Sequence, residues 1–590
     1  MLHRRVIRGI GALAASLAVV ALAGCGDDDT HVGTIDGKVR EPQVGGQLTY
    51  LSADTIDSLD PGRTYRSIGF MSALAVGRPL YTARPSEDGH IVPDLADGEP
   101  RISDDRRTVT IRIVGDAEFG PPVNRPIRSA DVKYAIERAF SRNVANPYAI
   151  RYLSSVQGAP ASLRGPIRAI PGIEAPDDRT LVLRLTRPEA NLVVQALALP
   201  ISIPVPREYA SRFDATVPST YGAHVVASGP YTYERSAAAR LRPSGPLVLI
   251  RNPNWVSDTG DRPAYLDTIT IRSGQANRAR SIAEAVDGVG VIHGGTTPVP
   301  GPLLSRTLAD HPDQVSFASD ASTRSIAFTT SRGPFRNANL RRAVAAALNR
   351  TELRRVVGGE EIGAIAGGWI PPGIPGYTEA GGDDQNADLD YLASEGGDLT
   401  VARKYMDLAA RDGLPIRAGT WMGDDPIVLV TSETDTDRPV ATALRQQLES
   451  LGFTVTVRAV SPAENLAHQC GASAAAVAVC PMTWTPDLLD PQAVLDPQFN
   501  GAAIRTTSGT NWSRFDDPGV NAALDAAALE KMGSGRQSAY SAVNAAVAEE
   551  MPSVPWLWGQ TATIRSADAI SVTNRISGLT DLSYSWVVQP

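Results

Sequence analysis

Gly45-Gly46-Gln47-Leu48-Thr49-Tyr50-Leu51 is where polar sequence gives way to folded sequence. Its residues alternate in character and are β-prone, so it predicts the strand that opens the folded body. Downstream, Thr108-Val109-Thr110-Ile111-Arg112-Ile113 and Thr180-Leu181-Val182-Leu183-Arg184-Leu185 alternate in the same way. Leu247-Val248-Leu249-Ile250-Arg251 and Tyr265-Leu266-Asp267-Thr268-Ile269-Thr270-Ile271 predict two more strands. Helices fall between them. Ser129-Ala130-Asp131 opens one, with Val132, Ala135, Ile136 and Phe140 at broadly helical spacing. A long helix is predicted from Asn337 through Arg350, with Leu340, Val344 and Leu348 on one stripe. Residues 400–410 and 439–451 are amphipathic, and the second runs into a strand at Phe453-Thr454-Val455-Thr456-Val457. Strands and helices interleave without a fixed repeat, which predicts α/β lobes and not a barrel or solenoid.

Ahead of Gly45 the sequence is of another kind. Arg4, Arg5 and Arg8 precede an uncharged, mostly apolar run from Gly9 to Ala23. Leu22-Ala23-Gly24-Cys25 follows, then Gly26-Asp27-Asp28-Asp29. A basic start, a short apolar run and small residues before the end read as an export signal. The run falls short of the roughly 20 apolar residues a spanning helix needs. The tetrapeptide resembles the bacterial lipobox, whose cysteine carries lipid. The expectation is a signal peptide over 1–24, lipidation at Cys25 and a flexible anchored tether over 25–44.

Formal net charge is −8 and no basic patch stands out, so there is no footprint for nucleic acid. The 43% apolar content supports a large core, and 590 residues predict more than one lobe or domain. Cys470 and Cys480 remain besides Cys25, an even pair that an oxidising compartment can join as a disulfide; two buried thiols are the alternative. Catalytic motifs are missing. None of Lys38, Lys133, Lys404 and Lys531 precedes Ser or Thr, so there is no P-loop, and neither Gly-x-Ser-x-Gly nor His-Glu-x-x-His occurs. His468-Gln469-Cys470 is too small a set for a metal, and Asp487, Asp490 and Asp496 do not have EF-hand spacing. The expectation is a protein that is not an enzyme, with no cofactor and no metal.

A series of short motifs then appears in order. It runs from Gly45-Gly46-x-Leu48-Thr49 and Ser58-Leu59-Asp60-Pro61 to Ile91-Val92-Pro93-Asp94-Leu95-Ala96 and Ala130-Asp131-Val132 with Arg138-Ala139. Ser228-Gly229-Pro230-Tyr231 and Leu249-Ile250-Arg251-Asn252-Pro253 follow. Pro334-Phe335-x-Asn337-x-x-Leu340-Arg341-Arg342-Ala343, Ala347-Leu348-Asn349-Arg350, Pro371-Pro372-Gly373 and Trp484-x-x-Asp487-x-x-Asp490-Pro491 complete it. In this order the chain resembles the family 5 solute-binding proteins of ABC importers, the peptide/nickel-binding group.

The resemblance implies an α/β, two-lobed fold of the type II periplasmic-binding-protein kind, with an extra subdomain inserted in lobe one. It implies lobe one over 45–290 with the insert at about 75–215, lobe two over 291–557, and a return to lobe one over 558–590. It implies a small ligand, an oligopeptide, enclosed between the lobes. The expected partners are ABC permease subunits with separate ATPase subunits, reached by a monomeric receptor lipid-anchored on the extracytoplasmic face of the cell membrane. A sugar or metal chelate on the same fold, or a surface signalling lipoprotein without transport, are the alternatives. In peptide-binding members the aspartate at the position of Asp487 pairs with the peptide's α-amino group, which makes Asp487, Trp484 and Thr485 the candidate ligand-binding residues. The alternative for Asp487 is a turn cap, and for Trp484 a core position. The family's carboxylate-binding arginine has no counterpart in Thr431-Ser432-Glu433-Thr434; the nearest is Arg438.

If Cys25 is the anchor, Cys25→Ala releases the receptor from membranes and impairs uptake while ligand affinity is unchanged. Membrane fractionation checks this, and a Cys25→Ala protein that stays membrane-bound refutes it.

Overall fold

The computed structural model describes residues 33–35, 38–84, 90–234, 245–256, 262–434, 436–461, 466–472, 478–507, 509–574 and 578–589. The signal peptide expected over 1–24 and Cys25 lie outside these residues. Within the expected tether, Gly33–Ile35 pairs antiparallel with Lys38–Arg40. Among the described residues no helix is long and apolar enough to cross a membrane.

The opening strand, Gln47–Leu51, lies inside an eleven-stranded sheet. On one side of it come Thr268–Arg272, Pro246–Arg251 and Tyr231–Tyr233; on the other come Val291–His293 and then Ser553–Arg565. The sheet continues through Val315–Phe328, Val479–Trp484, Ile427–Ser432 and Val455–Val460. Val315–Phe328 and Ser553–Arg565 are the long members, antiparallel along their length. They join two α/β lobes with separate cores. Leu48, Tyr50, Ile269, Ile271 and Ile292 pack in one; Phe328, Leu429, Val479, Val554 and Leu557 pack in the other.

A third core belongs to a subdomain built on the four-stranded sheet Arg101–Ile102, Thr108–Arg112, Thr180–Arg184 and Ile173–Asp177. The helices Ser129–Ala139, Pro147–Leu153 and Ala190–Ala196 cover it. This core also takes in Leu488 and Ala493, which follow the lobe-two strand Val479–Trp484. The subdomain therefore touches the far lobe as well as its own.

Local structure departs from the sequence pattern in several places; the strand predicted from Tyr265, for one, starts at Thr268. The helix predicted from Asn337 to Arg350 is two helices, Ala338–Ala347 and Arg350–Val357. Leu348 is extended between them, and the Asn349 side chain accepts the Glu352 N–H, capping a new helix that helical spacing alone does not reveal. The strand predicted to start at Phe453 starts at Val455. Phe453 is instead buried, stacked on Trp421 at 5.1 Å, because its ring area is worth more in the core than at a strand edge.

Cys470 and Cys480 are bonded, with their Cα atoms 6.3 Å apart. The bridge ties the helix Leu466–Gly471 to the strand Val479–Trp484 in a small core with Ala327, Val430 and Val460. Closing so short a loop contributes about 2–3 kcal/mol in the chain-entropy account.

Several motif residues prove to be partners of one another. Arg138 is fully buried and grips both oxygens of Asp60 at 2.7 Å and both oxygens of Asp214 at 2.5 and 2.8 Å. It thereby fastens the Ser58-Leu59-Asp60-Pro61 turn to the subdomain. Asp94 takes Arg78 at 2.8 Å and Arg262 at 3.0 Å. The Asn252 side chain donates to the Gly229 carbonyl at 2.9 Å, joining two further motifs. A Cβ on Gly229 would lie 2.7 Å from the Gly77 oxygen, so no side chain fits there.

Removing Arg138 leaves two buried carboxylates uncompensated. Arg138→Ala should cost about 3–5 kcal/mol in thermal or denaturant unfolding. Burial pushes the Asp214 carboxyl up, but the hydrogen bond and charge of Arg138 outweigh it and hold it below the usual 3.8. Its stabilisation is thus present above about pH 4 and lost as pH falls through the lowered value.

Candidate functional site

The two long strands do not pair evenly. Ser319 opposes Gln560 and Thr323 opposes Trp558, so extra residues bulge from the 315–328 strand between them. Ala321 sits at φ +55 within the bulge. The Asp320 side chain accepts the Ser322 N–H at 2.9 Å, and Ser319 accepts the Ala321 N–H at 3.1 Å. Opposite, a Cβ on Gly559 would come within 2.6 Å of Asp320, so glycine leaves room for the bulge. Thr323 Oγ1 donates to the Trp369 carbonyl at 3.0 Å and Ser319 Oγ to the Pro372 carbonyl at 2.7 Å, anchoring the bulge on both sides. Bulges of this kind re-aim side chains, here toward a cleft.

That cleft is a cavity of about 540 Å³ between the lobes. Asp320, Ala321, Ser322 and Arg324 line it from the bulged strand, Phe70 and Tyr148 from lobe one and its subdomain. Thr485, Pro486 and Asp487 line it from lobe two. Its size falls within the roughly 300–1,000 Å³ of small-ligand sites.

Asp487 reaches across the cleft. Its Oδ2 accepts the Tyr152 hydroxyl at 2.5 Å and pairs with Arg151 Nη1 at 2.8 Å, both on the helix Pro147–Leu153. Asp487 is 21% exposed and Arg151 36%, so the pair is shielded without being sealed off. Burial, and then the charge of Asp487, push the Tyr152 hydroxyl well up, so it remains a donor. Phe70, Tyr148 and Tyr152 form a run of rings with neighbouring centroids 5.9 Å apart. The Arg151 guanidinium lies 5.3 Å from the Tyr152 ring and 5.5 Å from the Trp484 ring.

The sequence candidates therefore fall in different settings. Asp487 and Thr485 line the cavity, Thr485 with its side chain exposed. Trp484 is not among the lining residues: its indole N–H is bonded to the Ala493 carbonyl at 2.9 Å and its ring supports Arg151. Arg438 is exposed and also stands outside the lining, while Thr436 and Asp437, at the start of the same helix Asp437–Glu449, line it. Sequence reading missed Arg151, Tyr152, Asp320 and Arg324. The first two sit in a helix with no motif, and the last two depend on a bulge that alternation cannot show. Among the described residues no group of three or more His, Cys, Asp or Glu is placed to hold a metal ion.

Behind the Asp487 pair lies a second cavity of about 450 Å³, lined by Arg151, Tyr152, Gln492, Asp496 and Arg505 among others. Asp496 Oδ2 accepts from Gln492 at 3.0 Å and its Oδ1 is buried without a partner among the described residues. Burial pushes this carboxyl up to about 7; the Gln492 bond and the charge of Arg536 only partly oppose it. Arg536 itself is committed to Asp490 at 2.9 and 3.0 Å.

Two α/β lobes around a cleft crossed by two strands define a binding protein of the two-lobed periplasmic type. The chain belongs to the bacterial extracellular solute-binding proteins, family 5: the family model described as "family 5 Middle" matches residues 90–505. It is 21% identical over 509 residues to the periplasmic murein peptide-binding protein MppA of Escherichia coli (strain K12), covering 84% of this chain and 85% of that one. Among solved structures it is similar to clavulanic acid biosynthesis oligopeptide binding protein 2, with a TM-score of 0.78, 26% identity, and coverage of 93% and 96%. The unliganded open form of MppA matches with a TM-score of 0.72 and 19% identity, over 93% of this chain and 99% of that one. These relatives are named as binding proteins, not as enzymes.

Because the Asp496 carboxyl is raised above its unfolded value, its contribution is present below about pH 4 and lost as pH rises through about 7. Asp496→Asn should therefore stabilise the protein more at pH 8 than at pH 5, the difference between the two being about 2–3 kcal/mol. Thermal melts at the two pH values check this.

Proposed function

We propose that this chain is the receptor of an ABC importer, lipid-anchored through Cys25 on the extracytoplasmic face of the cell membrane. It captures an oligopeptide between its lobes and delivers it to permease subunits whose separate ATPase subunits supply the energy. Binding is its whole chemistry. The names of the similar proteins, one for murein peptides and one for oligopeptides, support the ligand class. The observation that carries the reading is Asp487, a cleft-lining carboxylate that already holds a cation, Arg151, from the opposite side.

In this reading the ligand's ammonium takes the place of Arg151 on Asp487, and Tyr152 keeps its hydrogen bond. A charge-assisted bond of this type strengthens when the lobes exclude water. The ligand stabilises the closed form because only there do both lobes touch it. Thr485 borders the same cleft, and Trp484 keeps Arg151 and the 479–484 strand in place. We assign 45–290 and 558–590 to lobe one and 291–557 to lobe two, with one change of detail. Val291–His293 pairs parallel with Gln47–Leu51, which favours placing the crossing at the bulge around Ala321 and at Gly559.

Asp487→Ala should weaken binding of trialanine by about 1.5–3 kcal/mol in isothermal titration, the range for a hydrogen bond to a charged group. Unchanged affinity discards the amine role. A sugar retained on the purified protein in native mass spectrometry overturns the peptide assignment.

A further inference from the structure

The cleft wall contains a cation whose donors no described residue accepts. Arg324 directly follows the bulge, opposite Leu557 on one side and Thr483 on the other, and lines the cavity. Its Nε is buried without a hydrogen-bond partner, and its guanidinium donates to no described residue. The Trp556 ring flanks it, 5.8 Å from Cζ.

The fully buried arginines have protein acceptors for other nitrogens, though Nε of Arg262 and of Arg350 is as unpartnered as that of Arg324. Arg138, Arg78, Arg262 and Arg536 are paired with carboxylates. Arg341 and Arg350 are capped by backbone carbonyls. A guanidinium half-withdrawn from water without such a partner is costly unless a ligand supplies the acceptor. Burial lowers its pKa, and the charges of Asp320 and Asp437 act the other way without a hydrogen bond to it.

We propose that Arg324 is the anion-binding residue of the cleft and holds a carboxylate of the ligand beside the bulged strand. This rests on the reading of the cleft as the ligand site. It also supplies the cation that residues 431–434 lack, since the start of the helix Asp437–Glu449 that follows them brings Asp437 and not an arginine to the cavity. Asp320, Asp437 and Asp487 line the same space. One guanidinium among three carboxylates selects a dipolar ligand, with its carboxylate at Arg324 and its ammonium toward the acids. A guanidinium fork suits a carboxylate because it can present two parallel N–H donors.

The test compares trialanine with trialanine amide in isothermal titration on the full folded protein, for wild type, Arg324→Met and Arg324→Lys. Wild type should bind the acid at least about tenfold more tightly than the amide. Arg324→Met should lose that preference, and Arg324→Lys should keep part of it. Equal binding of acid and amide by wild type, or a preference that survives in Arg324→Met, overturns the proposal and leaves the peptide reading standing. If neither peptide binds, native mass spectrometry of the purified proteins decides. An acid-bearing, non-peptide solute retained by wild type and lost from Arg324→Met upholds the subsite while overturning the peptide reading. A retained solute with no acidic group, or none retained, overturns the subsite.

Discussion

The antiparallel register of the 315–328 and 553–565 strands is the constraint on which the rest of the molecule depends. These two strands belong to both halves of the sheet, so the chain passes between the lobes twice, side by side. A backbone ladder tolerates little slippage, because a shift of one residue would turn each inward side chain outward. The register breaks between Ser319 and Thr323, and there the chain faces the cleft. Gly559 opposite the bulge and Ala321 in the left-handed region are the local conditions for that break. Connection of the lobes and construction of the site are thus the same structural event.

Charge is distributed around this frame with a clear division of labour. Asp60, Asp94 and Asp490 are buried partners of arginines and hold turns, the subdomain and the 534–550 helix in place. Each of these pairs is expensive to form in isolation and more expensive to break, which makes the contacts specific more than it makes them strong. Asp487 and Arg324 belong to a different group. They line the cavity, are incompletely withdrawn from water, and are engaged by a mobile-length side chain in one case and by no hydrogen bond in the other.

Much of the fold was legible in the chain. Alternation located short strands such as Gln47–Leu51, Thr108–Arg112 and Thr180–Arg184, because their period is set within a few residues, but not the two long ones, Val315–Phe328 and Ser553–Arg565. The disulfide was legible as a possibility and became a fact only when the 470 and 480 backbones met. The break at Leu348 was hidden, since Asn349 fits equally well inside a polar helix face and at a cap. At the site, Asp487 was legible through its motif. Its partners Arg151 and Tyr152 were not, as they stand more than three hundred residues away and carry no local signal.

The sequence by itself determined the α/β alternation, the order of the elements and which acids belong to motifs, since these follow from side-chain period and turn chemistry. Tertiary structure alone decided which of those acids are internal struts and which face a cavity. Asp60 and Asp487 are the same residue type in comparable turns, yet one is sealed against Arg138 and the other lines the cleft. Tertiary structure also singled out Arg324 from its many fellow arginines. The reason is physical: a charge acquires its role from what surrounds it after packing, and neighbours in sequence do not fix neighbours in space.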